Sequence, residues 1–138
     1  MSEPTTIELE NTEKVLDLLA DIDGISYKNF QERADIFEIT GPDMSSCFLD
    51  VEEKMVCILT EVCDLPEDPA KKASVMELLL QQNFEVMHGK FAIQIGKVYF
   101  KENLEIENLD GNELEAALAS TLASVGGTLP KLADIINA

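Results

Sequence analysis

Residues 70–100, AKKASVMELLLQQNFEVMHGKFAIQIGKVYF, hold both of the periodicities from which this fold is built. Just ahead of them, Asp68 and Pro69 offer an acceptor side chain followed by a first-turn proline, a good helix start. Ala73, Met76, Leu79 and Leu80 recur at spacings of three and four, which lays one apolar face along a helix. Asn83 is the expected left-handed stop. After the turn at His88-Gly89 the period falls to two. Phe91, Ile93 and Ile95 then point one way, and Lys90, Ala92 and Gln94 the other. Gly96 interrupts the run, and Val98 and Phe100 resume it. The stretch predicts a helix delivered into a two-stranded hairpin.

Downstream, Leu104 and Ile106 keep the parity of the last strand. Asp110 with Glu113 three residues on reads as a capping box. Leu114, Ala117, Leu118, Thr121, Leu122 and Val125 sustain a helical period until Gly126-Gly127, the expected end. Pro130 is expected to open a short last helix with Leu132, Ile135 and Ile136 facing in. Upstream, Lys54–Cys63 reads as a strand that is apolar on both faces. Met55, Cys57 and Leu59 alternate with Val56, Ile58 and Val62, so it is expected to be central and covered on each side. With few helices in the chain, a second copy is the natural second cover. Ser46–Val51 is a further strand with Cys47, Leu49 and Val51 on one face. Ala34–Thr40 is another, ended by the turn Gly41-Pro42-Asp43. Residues 25–33 carry no clear period, with Tyr27 and Phe30 expected to tuck against the sheet edge or the first helix. Thr12 is the expected N-cap of a first helix carrying Val15, Leu16, Leu18, Leu19 and Ile22 and closed by Gly24. Residues 1–11 read as a flexible polar lead-in. The expectation is one α+β domain over residues 1–138, ordered α-β-β-β-α-β-β-α. It has a five-stranded antiparallel sheet packed by helices, plus a short C-terminal helix.

With 138 residues and 46% apolar content, the chain is long enough to bury one core. Its 27 Asp and Glu against 10 Lys and Arg give a net charge of -17. Such a charge opposes nucleic acid and anionic membrane surfaces, and it favours solubility and a locally positive partner. No apolar run reaches the roughly 18 residues of a bilayer span. The polar N-terminus is unlike a secretory signal. Cys47, Cys57 and Cys63 have no metal spacing and leave one over. A reduced, cytoplasmic protein is expected, with its cysteines structurally neutral.

The chemistry-bearing side chains form no catalytic pattern. Cys57 sits in an apolar strand, where free Cys behaves as a small hydrophobe, and the lone His88 lies in a turn. Asp21-Ile22-Asp23-Gly24 lacks the spacing and terminal Glu of a calcium loop. Gly126-Gly127 follows a helix and cannot cradle a phosphate. Met44, Met55, Met76 and Met87 are scattered between loop and core. No enzyme, cofactor or metal site is expected.

The apolar surplus points instead to contact. Leu78, Leu79 and Leu80 span about 200° of a helix, wider than one core face requires. They are expected, with Met55, Cys57, Leu59, Met76, Phe91 and Ile93, to face a second subunit or a bound segment.

Leu78-Leu79-Leu80-Gln81-Gln82-Asn83, then Gly89-Lys90-Phe91-Ala92-Ile93, then Val98-Tyr99-Phe100, then Leu104-Glu105-Ile106 leading to Leu109 and Leu114, carry a resemblance. In this pattern and in element order, the chain resembles the small acidic chaperones of type III secretion. It also resembles their stand-alone relatives, the YbjN-like and YjfI-like families. The resemblance implies a dimeric, non-enzymatic module whose apolar groove, on an acidic body, takes another polypeptide. The alternative it leaves is a cytoplasmic regulatory or stress-related homodimer with no such groove.

Overall fold

The computed structural model describes residues 3–43 and 45–138. Met44, and the first two residues of the expected lead-in, lie outside the described residues. The elements run α1 (Thr6–Ala20), β1 (Ser26–Asn29), β2 (Ile36–Thr40), β3 (Ser46–Val51), β4 (Met55–Asp64), α2 (Pro69–Glu85), β5 (Lys90–Gln94), β6 (Lys97–Glu105) and α3 (Gly111–Ile136). The strands form one antiparallel sheet in the order β1-β2-β3-β4-β6-β5. The fold is α+β, as expected, with six strands in place of five.

The additional strand, β1, pairs with β2 from Ser26↔Thr40 to Asn29↔Phe37. All four of its residues are exposed, so it has no apolar alternation by which sequence could reveal it. Neither Tyr27 nor Phe30 enters the core: Tyr27 is exposed with its ring edge-on to Phe37, and Phe30 is half-buried against Phe48 on the opposite face of the sheet.

Register sorts the side chains onto two faces. One holds Phe37, Ile39, Cys47, Leu49, Val51, Val56, Ile58, Phe91, Val98 and Phe100, all buried beneath the helices. Under α1 and the first half of α3 lies one core cluster, centred on Val15, Leu19, Leu49, Ile58 and Leu118. Under α2 and the second half of α3 lies another, centred on Val75, Phe91, Phe100, Val125 and Leu132. Among the described residues, the opposite face of the sheet carries no helix. β4 is central, as its composition suggests, but only its Val56-Ile58 side is covered within the chain.

All three helices differ from expectation in their boundaries. Helix α1 starts at Thr6, within what reads as a lead-in, because Thr5 and Glu8 close a capping box ahead of the expected cap at Thr12. Thr12 is instead buried inside the helix, its hydroxyl donating to the Glu8 carbonyl, and the helix ends at Ala20, ahead of Gly24. Asn83 does not stop α2, which starts as predicted at the Asp68 cap and runs to Glu85. Its side chain ties the helix to β5 instead. Nδ2 donates to the Phe91 carbonyl (3.1 Å) and Oδ1 accepts from the Phe91 N–H (2.7 Å). Finally, Gly126-Gly127 does not end a helix and Pro130 does not open one. α3 is continuous, with Pro130 inside it. An interior proline costs about 3 kcal/mol. Burial of Val125, Thr128 and Leu132 along one face of this second half offsets that cost.

Ile95 also departs from the period-two reading. It leaves the strand and sits with Gly96 in a two-residue hairpin turn, at φ 49° and 72° respectively. Both central residues of such a turn need positive φ.

Candidate partner-binding surfaces

The nine residues expected to make contacts divide among three places. Leu79 and Phe91 belong to the core, and Leu78 packs partly buried against it. Met76, Leu80 and Ile93 form an outer surface where α2 passes over β5. Met55, Cys57 and Leu59 lie on the bare face of the sheet, a strand away. The pattern therefore marks two apolar surfaces, not one.

The α2–β5 surface arises because α2 is apolar on more than its buried stripe. Val75 and Leu79 face the core, while Met76, Leu80 and Phe84 follow each other at intervals of four along the outer side. They are 41%, 71% and 88% exposed, and Ile93 beside them is 41% exposed. The helix residues, together with Ala73, Glu77 and Gln81, line a wide depression of about 680 Å³. A smaller one of about 200 Å³, between helix and edge strand, has Leu79 and Phe91 as its floor. Phe84 escaped the sequence reading, although Met76-Leu80-Phe84 is a legible stripe at i, i+4, i+8.

The bare sheet face is flatter and more mixed. Near its middle a depression of about 340 Å³ is lined by Cys57, Leu59, Ala92, Ile93, Gln94, Tyr99 and Lys101. Phe48 stands opposite Leu59 on β3 and Tyr99 opposite Ala92 on β5. Met55 is exposed on this face, and Phe48, Cys57, Leu59 and Tyr99 are half-buried. Apolar surface gathered in this way marks contact surfaces more often than single side chains do.

Neither surface carries reactive groups. Burial pushes the Cys47 thiol up to about 12, and burial also raises Cys57, against a smaller opposing pull from Lys101. Cys63 is raised by burial and by Asp64. None of these thiols is activated. His88 is 4.0 Å from Glu102 on the helix side of the sheet, whereas Cys57 is on the other face, so they form no pair. Among the described residues no grouping of His, Cys, Asp and Glu could hold a metal ion. No described helix is long and apolar enough to cross a membrane.

Residues 8–134, from the first turn of α1 nearly to the end of α3, match the CesT_Tir_1 family. The chain belongs to that family. Its fold is that of the type III secretion chaperones. Solved structures agree on the architecture. A chain of the HopA1–SchA chaperone–effector complex superposes with a TM-score of 0.65 at 10% identity, covering 92% of this chain and 99% of that one. YbjN from E. coli gives 0.60 at 12% identity over 91% and 92%. A chain of the ExsC–ExsE complex gives 0.50 at 19% identity over 88% and 95%. No curated protein sequence matches the chain.

Proposed function

We propose that this CesT_Tir_1 member is a non-enzymatic, chaperone-like module that binds another polypeptide as a homodimer. Membership of the family and the likeness to a chain of a chaperone–effector complex support the role. The observation that carries it is the one-sided cover of the sheet. The described helices pack on one face, and Phe48, Met55, Cys57, Leu59 and Tyr99 are left without a helix above them. Apolar area supplies affinity at about 25 cal/mol per Å² removed from water, before the costs of association. The α2–β5 surface serves the dimer, because Met76, Leu80, Phe84 and Ile93 form a compact apolar patch that a second copy can match by symmetry. A regulatory homodimer joined through the α2–β5 surface and without a polypeptide partner would leave the bare sheet face uncovered.

The test separates the two surfaces. Capture from native lysate is run with the wild-type chain, with Leu59→Glu and with Leu80→Glu, in low salt and in about 0.5 M salt. A stoichiometric polypeptide retained by wild type in both salts and lost with Leu59→Glu supports the reading. Recovery of the bait alone, or capture untouched by Leu59→Glu, refutes it.

A further inference from the structure

The bare face of the sheet does not share the charge of the rest of the chain. Register places Lys28, Lys90, Lys97 and Lys101 on it, with Glu38, Asp50, Glu61, Asp64 and Glu105. That is four cations against five carboxylates, where the whole chain has 10 against 27. Two of the lysines are paired. Lys28 Nζ is 3.4 Å from Glu38, and Lys97 Nζ is 2.7 Å from Glu61 and 3.2 Å from Asp64. The other two stand directly opposite each other, Lys90 on β5 and Lys101 on β6. Among the described residues, no carboxylate is within ion-pair distance of either.

Like charges directly opposite destabilise an antiparallel pair. A lysine on an edge strand guards against unwanted strand pairing, which accounts for Lys90. It does not account for Lys101, because β6 is flanked by β4 and β5. Lys101 instead lines the depression whose apolar walls include Leu59, Ala92 and Tyr99. One unneutralised ammonium group, that of Lys101, therefore lines an apolar hollow, and a second, that of Lys90, stands opposite it, in a chain rich enough in carboxylates to have neutralised both.

Resting on the reading of this chain as a polypeptide-binding module, we propose that this corner takes a partner segment in which Asp or Glu adjoins an apolar side chain. The apolar group sits against Leu59 and Tyr99, and the carboxylate lies between Lys90 and Lys101. A multiply charged ligand such as a phosphate fits less well, since the body at -17 opposes dianions more than a single carboxylate. The site thus selects, within a partner, an acidic segment that the overall charge would by itself disfavour.

Short capped peptides sharing alternating leucines, with Glu, Gln or Lys between them, test this by titration against amide shifts of the full-length protein. The Glu peptide is expected to shift amides of β4, β5 and β6 and to bind about tenfold tighter than the Lys peptide. The double variant Lys90→Gln, Lys101→Gln is expected to lose that preference while keeping leucine-driven binding. Its melting temperature should not fall, because a repulsion has been removed. Preference for the Lys peptide, shifts confined to α2, or no binding by any of the three overturns the proposal. A lysate partner lost with Leu59→Glu would still stand in that case, so the two readings fail separately.

Discussion

The carboxamide of Asn83 does for Phe91 what a neighbouring strand would do. It accepts from the Phe91 N–H and donates to its carbonyl, and so occupies the outward groups of an edge strand. Asn83→Ala leaves both groups unpaired at a partly buried position. The expected cost is about 1–2 kcal/mol, read as a lower melting temperature, with faster hydrogen exchange at Phe91. Asp50 presents the opposite case, a charge the fold disfavours. Burial, then Glu52 and Asp35, raise its carboxyl above the ordinary value of 3.8, with Glu8 adding to this and Arg33 opposing it. Since the folded value exceeds the unfolded one, folding gains from Asp50 only where it is protonated, and that gain is lost as pH rises through the folded value. Asp50→Asn is therefore expected to stabilise the fold at pH 7 by less than about 1 kcal/mol for so screened a group, read as a higher melting temperature. The advantage should vanish below about pH 4, and melting curves at the two pH values check it.

Among the elements, helix α3 separates what sequence can carry from what it cannot. Its start was legible, because the Asp110 side chain accepts from the Glu113 N–H within a single turn. Its continuity was not. Gly126, Gly127 and Pro130 are each poor helix formers, and what holds them helical is packing against residues far away in sequence. Gly127→Ala is the direct test. A Cβ there would meet nothing within 4 Å, so the change is expected to stabilise by about 1 kcal/mol and raise the melting temperature by a few degrees. Had the helix been broken at that point, the same substitution would lower it. The same division holds elsewhere. Strands β2 to β6 and the Asp68 cap were legible from local period and local hydrogen bonding. The fully exposed β1 left no period to read, and Thr5 and Thr12 offer the same capping chemistry, with the choice settled by Glu8. The residues expected to make contacts stood out as an apolar surplus in β4, α2 and β5, although Leu79 and Phe91 belong to the core. Their division into two surfaces depends on which face the helices cover, and that is a tertiary fact.

At the scale of the whole molecule, apolar surface and charge act against each other. Two bodies at -17 repel, yet the outer face of α2 offers Met76, Leu80 and Phe84 to a second copy. If that patch is the dimer contact, light scattering should give twice the 15.2 kDa of one chain. Adding salt should strengthen the association, because it screens the repulsion over distances beyond about 10 Å at 0.1 M while leaving apolar contact intact. Leu80→Glu separates this from a merely structural role for the helix. In an isolated chain the side chain is already largely in water, and the substitution should change stability by no more than about 0.5 kcal/mol. In a dimer it would place a carboxylate inside an apolar contact with no cation to meet it, a cost large enough to dissociate the pair. The expected result is a monomer of unchanged melting temperature at low protein concentration. A wild-type chain that is monomeric at every concentration, or a Leu80→Glu variant that remains dimeric, would show that α2 is not the contact. Salt adds a second discrimination, since its effect has opposite signs at the two surfaces. It should tighten subunit association through α2, and it should loosen any contact made by a carboxylate between Lys90 and Lys101.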